Sequence, residues 1–201
     1  MTLCSPLSRD DEVLPRSSRL RVRIHDPESA PYSSIVQAAV GFSGTMAKIV
    51  STYAQTSVIL GGMEGLFFDC AAHASVGGLY GGDAVLTTYG YRTTDTVFHN
   101  CTTAGAQVGA NAWLLSWFNV GFQGNGGDGL QVLDQLNEGE NLSCYSCTFS
   151  NNTGNGLTMG PATIIQHDFH CHGCSFDTNG GWTRKLRRHS PSLALRRLPL
   201  R

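Results

Sequence analysis

The sequence predicts an all-β solenoid, a parallel β-helix in which each turn of the chain stacks on the turn before it. Three observations predict this fold: a repeat of constant length, alternation of apolar and polar residues within each repeat, and clusters of Asn and Gly between the alternating segments. The composition agrees, because 24 of the 201 residues are Gly and only 14% are charged, which is unlike a helical bundle or a disordered chain.

The repeat is clearest in three segments whose Phe residues, Phe122, Phe149 and Phe176, are evenly spaced along the chain. The same register aligns three Asn and three Gly residues, which are Asn125, Asn152, Asn179, Gly127, Gly154 and Gly181. Stacked strands lie about 4.8 Å apart, so the Phe side chains are expected to form an interior ladder. The Asn side chains are expected to form a polar ladder at a turn.

Weaker copies of the repeat precede these segments. They are Leu66–Phe67–Phe68–Asp69–Cys70 and Val97–Phe98–His99–Asn100–Cys101. We expect their Cys residues to occupy the rung held by Val120, Cys147 and Cys174. On that alignment the coil lengths are irregular, because the step from Cys70 to Cys101 is much longer than the step from Cys101 to Val120.

We assign residues 45–181 to a β-helix of about four to five coils, with an unassigned segment at 1–44 and a basic tail at 182–201. The tail interrupts the third repeat just after Gly181, where the first two repeats continue into a Gly–Leu strand. We interpret the tail as a shifted reading frame or a truncated gene end, and a genuine basic tail is the alternative. An open final coil exposes strand edges, so poor solubility is expected.

Charge is distributed unevenly along the chain. Residues 182–201 hold seven of the 14 basic residues and no acid, whereas residues 24–181 hold only Lys48 and Arg92 against twelve acids. An acidic body disfavours a nucleic-acid groove or a membrane surface as the partner, since both need clustered Lys and Arg. The N-terminal sequence lacks the features of a secretory signal, so reduced thiols are expected.

Two Cys-x-x-Cys pairs, Cys144/Cys147 and Cys171/Cys174, have a spacing that suits tetrahedral zinc, and His167, His170 and His172 lie beside the second pair. One repeat earlier, however, Trp117 and Val120 occupy the positions of these cysteines. We therefore favour an interior ladder of reduced cysteines and assign no metal or cofactor. Zinc and a disulfide between stacked coils are the alternatives. His170 occupies the rung of Ser116 and Ser143 and is expected to face outward.

The stretches FQGNGGDGLQV, CTFSNNTGNGLTM and NLSCYSCTF resemble the coil motif of right-handed parallel β-helix proteins of the pectin lyase-like superfamily. NEGENLSCYSCTFSNN is similar to coils of phage tailspike depolymerases. The resemblance is clear over residues 112–181 and weak over 55–111. It implies a right-handed β-helix that recognises polysaccharide and forms a homotrimer. Because no signal peptide is seen, we expect either a virion-associated or a cytoplasmic location. The superfamily includes lyases, hydrolases, epimerases and binding proteins, so the motif specifies fold more than activity.

The resemblance also implies where a glycan would bind. In the family the strand after the Asn–Gly turn lines the substrate groove, which here gives Gln131 and Thr158, with Asp128 entering the groove. Asp168 occupies the matching loop of the next coil, and Tyr89 and Tyr91 are further candidates for stacking on sugars. Trp117 is instead expected to be a core rung.

Glycoside hydrolysis uses two carboxylates about 5–9 Å apart. Four acids near the groove are the catalytic candidates: Asp128, Asp134, Glu138 and Glu140. Hydrolysis is favoured over β-elimination, because a lyase needs cationic groups and residues 24–181 contain few. The alternative is a non-catalytic structural or adhesive module that binds glycan or protein, in which these acids form only a solvated rim.

Overall fold

The computed structural model describes residues 20–24, 34–50, 61–81, 88–109, 112–133, 141–160 and 169–181. Nineteen short strands form these segments. In chain order they are β1 (Leu20–Ile24), β2 (Ser34–Ala38), β3 (Thr45–Ile49), β4 (Gly62–Glu64), β5 (Leu66–Asp69), β6 (Val76–Tyr80), β7 (Thr88–Tyr89), β8 (Arg92–Thr94), β9 (Val97–His99), β10 (Ala104–Val108), β11 (Ala112–Trp113), β12 (Ser116–Phe118), β13 (Gly121–Gln123), β14 (Asp128–Val132), β15 (Leu142–Tyr145), β16 (Thr148–Ser150), β17 (Leu157–Met159), β18 (Phe169–His172) and β19 (Ser175–Asp177).

The strands stack into three long sheets. Sheet 1 has the order β1-β2-β5-β9-β13-β16-β19, sheet 2 the order β17-β14-β10-β6-β3, and sheet 3 the order β18-β15-β12-β8-β4. A small fourth sheet pairs β7 with β11. Every pairing among the described strands is parallel except that of β1 with β2. Each turn of chain therefore contributes one strand to each sheet, which confirms the predicted β-solenoid, of about 4 turns.

The predicted Phe ladder forms the core beneath sheet 1. Phe122 lies in register with Phe149, and Phe149 with Phe176, with ring centroids 5.0 and 4.5 Å apart. The ladder continues upstream through Phe98 and Phe68. Parallel pairing in exact register places each ring over its copy, so the rings stack nearly face to face and exclude water from one another.

The predicted Asn ladder is also present, at the turn after sheet 1. The Asn152 Oδ1 atom accepts hydrogen bonds from the backbone N and the Nδ2 of Asn125, at 3.1 and 2.8 Å. The Nδ2 of Asn152 donates to Asn179 Oδ1 at 2.8 Å and to the Phe122 carbonyl at 2.9 Å. Asn125 and Asn152 are buried, and these bonds satisfy polar groups that would otherwise be costly to bury.

Two expectations for the upstream coils are wrong. Cys70 and Cys101 do not occupy the rung of Val120. Instead Cys101 stands at the Asn ladder, because its backbone N donates to Asn125 Oδ1 at 3.1 Å. The coil lengths implied by the Cys alignment are wrong as well, because the chain is in register at Phe68, Phe98 and Phe122. The buried Phe side chains set the register of these coils. An alignment on the Cys residues therefore gives a different and incorrect register.

Cys70 and Cys101 form a disulfide that joins adjacent coils, with their Cα atoms 4.7 Å apart. The expectation that all thiols are reduced is therefore wrong for this pair. Successive coils bring the two residues within the Cα separation that a disulfide requires, about 4.4–6.8 Å. The cross-link thus follows from coil stacking at the turn after sheet 1, where Cys101 occupies the rung that Asn125 holds on the next coil.

Candidate functional site

The outer face of sheet 2 carries a line of polar side chains. Gln107, Gln131 and Thr158 occupy equivalent positions on successive strands, and Leu79 holds this position on the preceding strand. The residues that precede and follow Gln131, Leu130 and Val132, are buried in the core. Because side chains alternate across a strand, this alternation directs the glutamines and Thr158 away from the core and toward solvent.

Hydrogen bonds join this line into a cluster. The Nε2 of Gln107 donates to Gln131 Oε1 at 2.7 Å, and the Nε2 of Gln131 donates to Asp128 Oδ2 at 3.1 Å. The Asp128 Oδ1 accepts from the backbone N of Asn155 at 2.7 Å, and the Nδ2 of Asn155 donates to Thr158 Oγ1 at 3.1 Å. We call these five residues, Gln107, Asp128, Gln131, Asn155 and Thr158, the amide cluster.

The structure brings together three of the residues that the sequence assigned to a groove: Asp128, Gln131 and Thr158. It adds Gln107 and Asn155, which the sequence analysis missed. Asn155 could have been found from the repeat itself, because it lies one full repeat after Asp128 and so occupies the same position one coil later. Gln107 lacked such a signal, since the step from Gln107 to its partner Gln131 is shorter than the regular repeat.

Asp128 uses both carboxylate oxygens to hold neighbouring groups. One oxygen fixes the Asn155 turn and the other fixes the Gln131 side chain. These bonds orient the cluster across two coils. Oδ1 also accepts from the Nδ2 of Asn155 at 3.4 Å, so Oδ2, which accepts one bond, is the oxygen that can still accept a bond from a ligand. The geometry thus gives Asp128 a positioning function in addition to any contact with a ligand.

The other three catalytic candidates, Asp134, Glu138 and Glu140, lie outside the described residues, as does the groove candidate Asp168. The chain is described as far as Leu133, directly after β14, and again from Asn141. The separation between Asp128 and a second carboxylate, on which hydrolysis depends, therefore stays a prediction.

The two tyrosines belong to other parts of the coil. Tyr89 lies on β7 and packs edge-on against Trp113, with ring centroids 5.6 Å apart. Tyr91 packs edge-on against the buried Tyr80, at 6.0 Å, and partial burial raises its pKa. Burial likewise raises the pKa of Tyr80, whose hydroxyl shares a 2.8 Å hydrogen bond with Thr93. Trp117 is fully buried, which confirms its prediction as a core rung.

The outer face of sheet 3 carries an aromatic ladder. Phe118 stacks on Tyr145 and Tyr145 on His172, with centroids 4.6 and 5.1 Å apart, and the guanidinium of Arg92 lies 4.1 Å from the Phe118 ring centroid. Both faces of Phe118 and of Tyr145 are therefore covered by neighbours. A sugar stacks on a ring face, so these two rings are not available for stacking on a sugar.

His170 is exposed on the same face, as predicted.

A second polar group lies on the outer face of sheet 1. Asp69 accepts hydrogen bonds from Gln37 Nε2 at 2.8 Å and from the backbone N of Ala71 at 2.9 Å. The His99 Nδ1 lies 3.6 Å from Asp69 Oδ1, which is longer than a hydrogen bond. The sequence analysis did not predict this pair, because the two residues belong to the coils whose register it had misaligned.

The four remaining described cysteines are free thiols stacked at the C-terminal end of the described coils. Cys144 lies in register with Cys171 inside sheet 3, directly below the inward-facing Trp117. Among the described residues no group of three or more His, Cys, Asp or Glu side chains is arranged to hold a metal ion.

No helix in the described part of the chain is long and apolar enough to cross a membrane. Comparison with known proteins adds no assignment: no protein family matches the chain, and no curated protein or solved structure matches it significantly. The β-solenoid fold is thus established by the strand pairing itself, and the amide cluster is its best-defined polar surface.

Proposed function

We propose that this β-solenoid recognises polysaccharide through the amide cluster on the outer face of sheet 2. The observation that carries the proposal is the hydrogen-bonded chain from Gln107 through Gln131 and Asp128 to Asn155 and Thr158, which spans three successive coils. Amide and hydroxyl groups both donate and accept hydrogen bonds, as sugar hydroxyls do. Their fixed orientation reduces the entropy lost when a ligand binds.

The charge of the surroundings favours a neutral glycan over an anionic one. Residues 24–181 contain twelve acids and two basic residues, of which Lys48 stands on the same outer row as Gln107 and Gln131. An anionic polymer would be repelled by the acidic body over roughly a Debye length, about 8 Å at physiological salt. The row of neutral amides has no such conflict with a neutral sugar chain.

A glycan depolymerase of the tailspike type is the finer form of this proposal. Asp128 would then serve as one carboxylate of a hydrolytic pair, with Asp134, Glu138 or Glu140 as the second. The commitment of both Asp128 oxygens to Asn155 and Gln131 favours the alternative, a non-catalytic binding module. Binding and cleavage must therefore be measured separately.

The test uses the full chain, with its oligomeric mass measured because the tailspike resemblance implies a homotrimer. Binding to dextran and galactomannan, as neutral probes, and to polygalacturonate, as an acidic probe, is measured by affinity electrophoresis. Gln131→Ala is expected to weaken binding of a neutral probe about three- to tenfold, the effect of losing one hydrogen bond. Ser116→Ala, on the outer face of sheet 3, is the matched control and should bind normally.

Cleavage is read as release of reducing ends from the same probes. Loss of release in Asp128→Asn, with binding retained, would establish hydrolysis through Asp128. Binding without release by the unmodified chain would establish the non-catalytic module. If no probe binds, or if Gln131→Ala binds as well as the unmodified chain, the proposed site is wrong.

A further inference from the structure

Four free thiols lie where the chain passes from sheet 3 to sheet 1, and none of them belongs to the amide cluster on sheet 2. Cys144 lies in register with Cys171 on adjacent strands, and Cys147 and Cys174 directly precede the paired residues Thr148 and Ser175. The Cys174 Sγ also donates to the Cys144 carbonyl at 3.5 Å, and the Cys147 Sγ donates to the Trp117 carbonyl at 3.4 Å. The four thiols thus form two equivalent pairs on two adjacent coils.

We propose that Cys171 is a thiol–disulfide exchange site that reacts with a low-molecular-weight disulfide and then closes a second inter-coil cross-link with Cys144. Register carries the assignment of the partner, because Cys144 and Cys171 are paired residues on adjacent parallel strands. Such strands lie about 4.8 Å apart, within the Cα separation a disulfide accepts. Cys70 and Cys101 already form such a cross-link between two other adjacent coils.

Exposure leaves two of the four sulfurs as the first to react, and register and pKa favour Cys171 over Cys174. Cys144 and Cys147 are buried, whereas Cys171 and Cys174 are only partly buried. The hydrogen bond from Cys144 to the Cys171 sulfur, with a smaller contribution from Cys174, lowers the pKa of Cys171 to about 7. Burial raises the pKa of Cys174 to about 12. Cys171 therefore combines access with a substantial thiolate fraction at neutral pH, and the thiolate is the nucleophile in disulfide exchange.

The exchange proceeds in two balanced steps. The Cys171 thiolate attacks one sulfur of oxidised glutathione, the glutathione S–S bond breaks, and one glutathione leaves as a thiolate that takes up a proton. Cys144 then loses its proton and attacks the Cys171 sulfur of the mixed disulfide, which expels the second glutathione. Two protein thiols are oxidised and one small disulfide is reduced to two thiols.

The consequence is a covalent link between residues 169–181 and the preceding coil. Only noncovalent contacts with that coil are described for this segment, such as the 2.9 Å bond from Ser175 N to the Cys147 carbonyl. A cross-link at Cys144 and Cys171 would join sheet 3 strands β15 and β18 directly. The reaction thus adds a second inter-coil disulfide, between the last two described coils, whereas Cys70 and Cys101 link coils further upstream.

The test treats the full chain, in a Cys4→Ser background that removes the cysteine outside the described residues, with oxidised glutathione at neutral pH. Peptide mapping without reductant is expected to show the Cys144–Cys171 cross-link beside the existing Cys70–Cys101 disulfide. Cys174→Val and Cys147→Val are matched controls, because Val120 occupies the same rung one coil earlier. Both controls should still form the cross-link.

Replacement by Thr is the matched change at the reacting positions, since Thr93 holds the equivalent inward position of β8. Cys144→Thr should trap glutathione on Cys171, and Cys171→Thr should lower glutathione incorporation on the order of tenfold. Circular dichroism confirms that each variant folds. A Cys171–Cys174 link, the absence of any new link, or a Cys144→Thr variant that takes up no glutathione would overturn the proposal.

A pH series separates reaction at Cys171 from slow oxidation of any thiol. The titratable groups that face Cys171 are the thiols of Cys144, Cys147 and Cys174, and Cys144 in turn faces the Tyr80 phenol. The rate of glutathione incorporation should rise with pH through about 7, as the Cys171 thiolate forms, and level off above it. A rate that keeps rising through pH 9, as for an ordinary thiol, would contradict the assignment of Cys171.

Discussion

Phe149 shows how much of the fold depends on single interior rungs. It is fully buried, and its ring stacks between Phe122 at 5.0 Å and Phe176 at 4.5 Å. Phe149→Ala removes contacts on both faces and leaves a cavity that the rigid coils cannot close. We expect the free energy of unfolding to fall by about 3–5 kcal/mol, measured by urea denaturation.

Phe176→Ala is the control for that prediction. Phe176 is 36% exposed and stacks on Phe149 alone among the described rungs of the ladder. The same change of side chain should therefore cost clearly less there than at Phe149. Equal losses at the two positions would mean that the ladder does not determine the stability of these coils.

At the scale of a strand, Gly129 sets how closely β14 can approach its neighbours. A Cβ at this position would lie 2.5 Å from the Gly156 carbonyl oxygen, 2.9 Å from Asn152 Nδ2 and 3.2 Å from Phe122 Cβ. The oxygen belongs to the backbone and cannot rotate away. Gly129→Ala is therefore expected to separate β14 from β17 and to lower the free energy of unfolding by about 1–3 kcal/mol.

Gly121 provides the comparison on the same coil. A Cβ there would meet only side-chain atoms of Gln123 and Val97, at 3.0 and 3.1 Å. Thr148 and Ser175 occupy the same rung on the next two coils. Gly121→Ala should therefore lower the free energy of unfolding by clearly less than Gly129→Ala does. A larger loss at Gly121 than at Gly129 would contradict the close-approach argument.

The strands that sequence reasoning placed correctly are those whose repeat length is constant. Between β13 and β19 every coil has the same length, so residue type and position agree and the Phe and Asn ladders could both be predicted. Upstream, the coil from Phe68 to Phe98 is longer than this repeat and the coil from Phe98 to Phe122 is shorter, because the turns between strands differ in length. In these upstream coils an alignment on the Cys residues gives the wrong register. For this reason neither the Cys70–Cys101 disulfide nor the Asp69–His99 pair was predicted.

The candidate site could be predicted only in part for the same reason. Asp128, Gln131 and Thr158 lie in the regular coils, where the family resemblance assigned them to one groove, and the register of β14 with β17 places Gln131 beside Thr158. Their connection through Asn155 depends on side-chain rotamers that a repeat pattern does not specify. Whether an aromatic ring face is free to stack on a sugar likewise depends on its neighbours. Phe118 and Tyr145 are covered by theirs, which the sequence does not reveal.

At the scale of the whole molecule, the Cys70–Cys101 disulfide links two coils across a sequence separation of 31. A cross-link of that span restricts the unfolded chain and is worth about 3–4 kcal/mol on the chain-entropy estimate. Dithiothreitol should therefore lower the urea midpoint of the unmodified chain. The double variant Cys70→Ala/Cys101→Asn, which restores the Asn of the neighbouring rungs, should unfold at the same midpoint with and without reductant.

A solenoid gains stability from contacts between neighbouring coils, so protection from hydrogen exchange should vary along its axis. The coil at 112–133 has neighbours on both sides and many fully buried side chains, whereas β18 and β19 keep largely exposed ones. We expect amides in residues 169–181 to exchange first and those of β13 and β14 to exchange last, measured by mass spectrometry of peptides. Uniform protection from 112 to 181 would show that the coils open together.

Treatment with oxidised glutathione tests whether fast exchange in residues 169–181 comes from opening of the whole segment or from exposure of its individual amides. If Cys171 becomes linked to Cys144, opening of residues 169–181 no longer frees the segment, so exchange there should slow while exchange near the Cys70–Cys101 disulfide stays unchanged. The Cys144→Thr variant, which cannot close the link, should show no slowing under the same treatment. Slowing in that variant as well would mean that glutathione acts elsewhere on the chain and that the Cys144–Cys171 link is not the cause of the slowing.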